Sequence, residues 1–172
     1  GFDLHAVPAE DRDLLPLLGR AFLEAGTART DYVSLAHRIG SRTGGIHPSI
    51  LFGSGPGGLD PVGAFHLRGK CTRDQAGDLL DLFEEMLNEV DLSAPERLLQ
   101  ILREEKAGME SGLIPHGHQF VGMRLASRFS TAGRALEGAE GLDQLARLKR
   151  CIDRAESDFD GFSEALRRTR DA

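Results

Sequence analysis

The chain has 172 residues and a formal charge of 21 − 27 = −6, a length that suits one compact domain. Hydrophobic residues make up 40% and charged residues 28%, enough to fill a core and to exclude wholesale disorder. The acidity argues against a binder that neutralises nucleic-acid phosphates, and two distant cysteines, Cys71 and Cys151, exclude a disulfide scaffold and a cysteine zinc site.

A reduced compartment is the simplest reading of those cysteines. No apolar run nears the ~20 residues of a membrane span, and no signal peptide is visible. Gly1-Phe2-Asp3-Leu4 reads as the middle or end of a strand, so the chain is expected to be one domain, residues 1–172, cut from a longer polypeptide. The basic residues are 18 Arg against 3 Lys, a bias that points to a GC-rich bacterial genome; the expected setting is the bacterial cytoplasm, with an organelle matrix as the alternative.

In chain order, Phe2-Asp3-Leu4 predicts a strand end. Pro8 suits a helix first turn, with Glu10, Asp11 and Asp13 near its positive end. Pro16 falls where a second start or a kink is expected. Leu14, Leu15, Leu17, Leu18, Ala21, Phe22 and Ala25 form a wide apolar helical face, and Gly26 stops it. Thr30 is expected to cap a helix from Asp31 to about Arg42, ended by Gly44-Gly45. Ile46–Phe52 and Val62–Cys71 read as an antiparallel hairpin around the glycine-rich stretch 53–58.

Thr72-Arg73-Asp74-Gln75 and Ser93-Ala94-Pro95-Glu96 have the form of capping boxes. The helix after the first repeats Leu79, Leu82, Phe83, Met86, Leu87 and Val90; the helix after the second carries Leu98, Leu99, Ile101, Leu102 and Met109. Gly112 and Pro115 break it, and another helix is expected from Gly117 to about Phe129. From Gly141 onward, residues Leu142 to Leu166 keep helical spacing, with Asp158-Asp160 and Gly161 as an interruption. The order β-αα-ββ-αα-αα predicts an α+β two-layer sandwich: an antiparallel-rich sheet containing the Phe2 strand, with helices on one face.

Several motifs carry a chemical and a structural reading. Gly53-x-Gly55-x-x-Gly58 matches a dinucleotide fingerprint, but Leu59-Asp60-Pro61-Val62 leads into a strand, where phosphate binding needs a helix N-terminus. His116-x-His118 offers two imidazoles to a metal, or fills turn and cap positions after Pro115. His37 and His66 stand singly. No H-E-x-x-H, H-x-x-E-H or G-x-S-x-G occurs. Cys71 and Cys151 read as core thiols. Glu105 lies on the stripe of Leu98, Ile101, Leu102 and Met109, either as a rim carboxylate paired with Arg103 or Lys106 or as a buried acid with a chemical role. Arg167-Arg168-Thr169-Arg170 suits a helix end.

An ordered set of stretches carries a family resemblance: Gly26-Thr27 with Asp31-Tyr32, Leu35 through Arg38-Ile39, Thr43-Gly44-Gly45-Ile46, and Arg68-Gly69-Lys70. Glu104-Glu105-Lys106 with Glu110-Ser111, Gly117-His118 and Ala126 through Gly133 continue it. The chain resembles the presequence protease branch of the pitrilysin/insulinase zinc metalloproteases, in the segment associated with their C-terminal half. The resemblance implies an incomplete, non-catalytic repeat of that fold. Its partners would be the catalytic half of the same polypeptide and short unstructured peptides, with no nucleic acid or membrane. Zinc would sit in the parent's N-terminal half, with no cofactor, metal or catalytic residue in this segment.

Counting back from Gly26-Thr27, the resemblance places the family's two ligand histidines at Leu17 and Ala21 and its general base at Arg20. The distal ligand falls at Glu104 or Glu105. Two alternatives stay open: a stand-alone binding or assembly module of the same fold, and a nucleotide-binding enzyme using the Gly53 loop.

Overall fold

The computed structural model describes residues 1–8, 10–54 and 61–172. Three strands form one antiparallel sheet in the order β1-β3-β2: β1 (Phe2–Asp3), β2 (Ile46–Ser54) and β3 (Pro61–Gly69). Among the described residues there are eight α-helices: α1 (Leu15–Glu24), α2 (Tyr32–Arg42), α3 (Ala76–Glu89), α4 (Pro95–Gly112), α5 (Gly117–Ala126), α6 (Thr131–Glu140), α7 (Leu142–Ser157) and α8 (Phe159–Asp171). None is long and apolar enough to cross a membrane.

Residues directly opposite across an antiparallel pair share a face. The register sets Pro48 against Leu67, Ile50 against Phe65, and Phe2 against Phe65. That face turns to α1 and α6, and Ile46 and Phe65 are buried in it. The alternate residues His47, Leu51, His66 and Arg68 point the other way, and Leu51 stays half exposed. The architecture is the expected α+β arrangement of helices on one face of an antiparallel sheet.

α1 is the centre of the core. Leu15, Leu17, Leu18, Ala21 and Phe22 are all buried, because the helix packs against the sheet, α2, α3, α4 and α8. Leu82 and Met86 of α3, Leu98, Ile101 and Leu102 of α4, and Phe162 and Leu166 of α8 complete the cluster. Gly26, with φ of +85°, ends the segment after α1, and Gly45, with φ of +107°, opens β2. Both are left-handed conformations in which a side chain is strained.

Several local expectations are corrected. The helix starts at Leu15, not near Pro8; a single 3-10 turn, Arg12–Leu14, precedes it, and Pro16 lies in the first turn of α1. A proline there loses no hydrogen bond, because first-turn N–H groups have no intrahelical partner. Asp31, not Thr30, caps α2, and its carboxylate accepts from the N–H groups of Val33 and Ser34.

Neither capping box forms. The Thr72 hydroxyl donates to Gln75 Oε1 at 3.2 Å, a 3-10 turn intervenes, and α3 begins at Ala76 without a side-chain cap. Ser93 turns back to Asp91, whose Oδ1 accepts from the Ser93 hydroxyl at 2.6 Å and its N–H at 2.8 Å. That local turn competes with the cap, and α4 starts after Ala94 without one.

The segment expected as one helix from Gly117 to Phe129 ends at Ala126. α6 was not expected at all, because Leu136 is its one large apolar residue and Gly133 and Gly138 interrupt its pattern. Ser130 starts it, accepting from the Gly133 N–H at 2.9 Å. The final helical stretch does break where the acidic cluster predicts: Asp158 accepts from the Gly161 N–H at 3.0 Å and begins α8.

Candidate functional site

The residues singled out from the resemblance meet where α1 crosses α4. Leu17 and Ala21 point into the core, 5% and 0% exposed. Neither carries a donor atom for a metal. Arg20 lies on the rim of that contact. Its guanidinium donates to Glu24 one turn along α1, at 2.7 and 2.9 Å, and to Glu105 of α4 at 2.8 Å. Glu104 lies 3.7 Å away, and Arg97 donates to the Glu24 carbonyl at 2.7 Å. Partial burial by itself would lower the Arg20 pKa; Glu24 and Glu105 outweigh it and hold the group above its ordinary value.

This arrangement answers the question left by Glu105. It is a rim carboxylate with an ion pair, and its partner is Arg20 across the helix contact. Arg103 pairs instead with Glu156, and Lys106 with Glu110. The site does not fit zinc. A catalytic zinc takes three protein ligands, whereas two of the three relevant places here hold hydrocarbon. A fixed guanidinium already neutralises the carboxylates.

A second cluster is more deeply set. Glu85 of α3 is 5% exposed. It accepts from the hydroxyls of Thr27 and Thr30, each at 2.7 Å, and from Arg38 of α2 at 2.7 Å. Burial by itself would raise its carboxyl; the hydrogen bonds from Thr27, Thr30 and Arg38, with the Arg38 charge, outweigh burial and bring it down to about 2. The cluster ties the α1–α2 connection to α3, beside a short bridge between Thr27 and Val90. Sequence reasoning noted Thr27 and Arg38 but missed Glu85. The signal was there: Glu85 lies three residues after Leu82 and directly before Met86, on the apolar stripe of its helix.

The remaining candidates are not brought together. His116 stands at the start of α5 and His118 in its first turn, and both are exposed. Among the described residues no group of three or more His, Cys, Asp or Glu could hold a metal. Cys71 and Cys151 are free and half-buried, packed against the core. Burial, with the Asp13 charge, raises the Cys151 thiol. Gly53 lies in β2, whereas Gly55 and Gly58 of the glycine motif fall outside the described residues. Pro61 onward is strand β3, antiparallel to β2, rather than the helix a phosphate needs.

Two pairs of family stretches meet in space. The Gly44 N–H donates to the Lys70 carbonyl at 2.7 Å and the Lys70 N–H to the Gly45 carbonyl at 3.3 Å, which joins Thr43-Gly44-Gly45-Ile46 to Arg68-Gly69-Lys70 at the open end of the hairpin. The Gly26-Thr27 and Arg38 stretches meet at Glu85.

The α+β unit holds hydrocarbon at Leu17 and Ala21 and a guanidinium at Arg20, the places to which the resemblance assigns the metal ligands and the base. The family described as associated with peptidases of family M16, subfamily C, matches residues 1–150, and the chain belongs to that family. The chain is 31% identical over 169 residues to the chloroplastic/mitochondrial presequence protease 1 of Arabidopsis thaliana, covering 98% of this chain and 16% of that protein. It is 27% identical over 146 residues to protein HypA of Clostridium perfringens, covering 83% and 15%. Against the mitochondrial presequence protease of Danio rerio the figures are 23% over 153 residues, covering 88% and 15%. The chain thus spans about 16% of the length of the first of these relatives.

Proposed function

We propose that this chain is a non-catalytic segment of a zinc metallopeptidase, forming part of the wall and closure surface of a chamber that admits short, unstructured peptides. Its partner is the catalytic part of the same polypeptide, which carries the zinc. Neither a nucleic acid nor a membrane is a partner. The Arg-over-Lys bias supports a bacterial source, and the cytoplasm is the setting in this reading.

The observation that carries this reading is α5. Not one of its residues is buried. Val121 and Leu125, one turn apart, are 60% and 57% exposed, flanked by Ile114 at 94% and Phe129 at 85%. A helix keeps apolar side chains in water at a cost, and a cluster of them marks a contact surface. The family membership supports the partner being the rest of a peptidase chain. The sheet face that carries the exposed Leu51 and Arg68 supports a wall with a further side to present.

The test compares hydrogen exchange of α5 amides in residues 1–172 and in the full-length polypeptide. Protection of residues 117–126 only in the long form is expected; equal exchange in both removes α5 from any such contact. The reading frame that contains this chain is expected to encode H-x-x-E-H upstream. A frame without it overturns the peptidase parent and leaves the stand-alone module.

A further inference from the structure

α5 is turned inside out relative to an ordinary surface helix. It packs chiefly against α6, and its one charged side chain is held on that side. Arg124 donates to Glu137 of α6 and to Asp143 of α7, each at 3.0 Å. The Glu137 side chain is 1% exposed, so the pair is anchored in a buried carboxylate and is costly to break. Phe120 and Met123, at helical spacing with Arg124 and Ser127, are half-buried.

This latch fixes which way the helix faces. His118, Val121, Gly122 and Leu125 recur at three- and four-residue spacing on the other side, and all four are exposed. Ile114 and Phe129 stand exposed at the two ends. Gly122 lies between Val121 and Leu125, and a Cβ added there would meet nothing within 4 Å, so the apolar stripe carries a notch. The charge around it has one sign. Residues 111–136 hold three arginines and two histidines and no Asp or Glu, in a chain whose formal charge is −6. Glu137 and Asp143, which reach α5, are already bonded to Arg124. Arg128, just past the helix, is exposed.

We propose that the outer face of α5 docks one amphipathic helix with acidic flanks, from a part of the same polypeptide outside residues 1–172. The proposal rests on the contact reading of α5 given above and adds the chemistry of what it meets. A stripe with helical spacing is matched by another helix, whose side chains fill its grooves. The notch at Gly122 receives a large apolar side chain and lets the two helices approach. Asp or Glu on the partner's flank faces Arg128, since complementary charge at the edge of a contact selects the partner. Relatives supply the length: this chain matches 16% of the Arabidopsis thaliana presequence protease, so most of such a polypeptide lies outside it. An anionic lipid surface would also meet apolar and basic groups, but its field repels a chain of net negative charge; a single acidic helix matches the local sign alone.

The experiment uses the full-length polypeptide beside residues 1–172 alone. Benzoylphenylalanine in place of Val121 is irradiated, and the linked segment is read by mass spectrometry. The link is expected within the same chain, on a helix outside residues 1–172 whose apolar stripe has Asp or Glu beside it. Gly122→Leu raises helix propensity, so α5 amides should exchange about threefold more slowly in residues 1–172 alone. In the full-length form the same leucine fills the notch, and exchange of residues 117–126 should rise about tenfold. Arg128→Glu should also raise it about tenfold there and leave the short form unchanged. No link, or a link to a second copy, to a strand or to a helix without acidic flanks, overturns the proposal; α5 amides still protected in the long form then keep the contact reading. Gly122→Leu slowing exchange in both forms, or Arg128→Glu changing neither, overturns it too. So does binding of residues 1–172 to phosphatidylserine vesicles. Equal exchange of α5 in the two unsubstituted forms removes the contact reading and this proposal together.

Discussion

Glu85 of α3 and Glu105 of α4 each meet an arginine from another helix, yet they differ in kind. Glu85 is 5% exposed and takes three strong hydrogen bonds from the α1–α2 connection and α2. The side chain of Glu105 is 36% exposed, and Arg20 divides its charge among Glu24, Glu104 and Glu105. Water reaches the Glu105 carboxylate and hardly reaches that of Glu85, although Arg38 itself is 40% exposed. A paired surface carboxylate contributes little. A buried one, once formed, cannot lose a partner cheaply. The rim cluster of Arg20 and Glu105 is therefore energetically the weaker of the two, and Glu85 is the stronger tie.

The largest effect that would sharpen this contrast is Glu85→Ala, which leaves Arg38 and two hydroxyls without their acceptor. A loss of about 3–5 kcal/mol is expected in urea unfolding; a loss no larger than that of Glu105→Ala breaks the comparison. Next comes acid. The carboxyl of Glu85 is lowered from 4.5 to about 2, so its contribution is complete above about pH 4.5 and is lost as pH falls through about 2. The linked stability is about 3 kcal/mol. Stability measured from pH 5 to about pH 2 should fall less steeply in Glu85→Gln than in the parent chain.

Gly26→Ala tests the loop that delivers Thr27 and Thr30. At φ of +85° an added Cβ would also sit 3.0 Å from the Thr30 carbonyl oxygen. A cost of about 1–2 kcal/mol is expected, and an unchanged melting midpoint would show that the loop can move. The smallest effect belongs to the rim: Glu105→Gln should change stability by less than about 1 kcal/mol. A larger loss would place Arg20 and Glu105 among the anchors after all.

Much of this was legible because it is local. The stripes of α1, α3 and α4 follow from 3.6-residue spacing, and Gly26 and Gly44-Gly45 follow the ends of α1 and α2. The hairpin follows from two apolar runs around a turn-rich stretch. The break at Asp158 was legible too, since a carboxylate three residues before a glycine N–H is a local cap. α6 escaped because two glycines and one large apolar residue leave no period to read. The capping boxes at Thr72 and Ser93 failed because neighbouring polar side chains offered a nearer partner.

The sequence by itself determined the α+β class, the family, and the absence of a zinc-binding helix motif, since each rests on residue types and their spacing along the chain. Tertiary structure alone decided which distant polar groups meet. Arg20 and Glu105 are 85 residues apart, and Thr27 and Glu85 are 58 apart. Helix packing brings them together, and burial, a property of the whole fold, sets how much each meeting is worth.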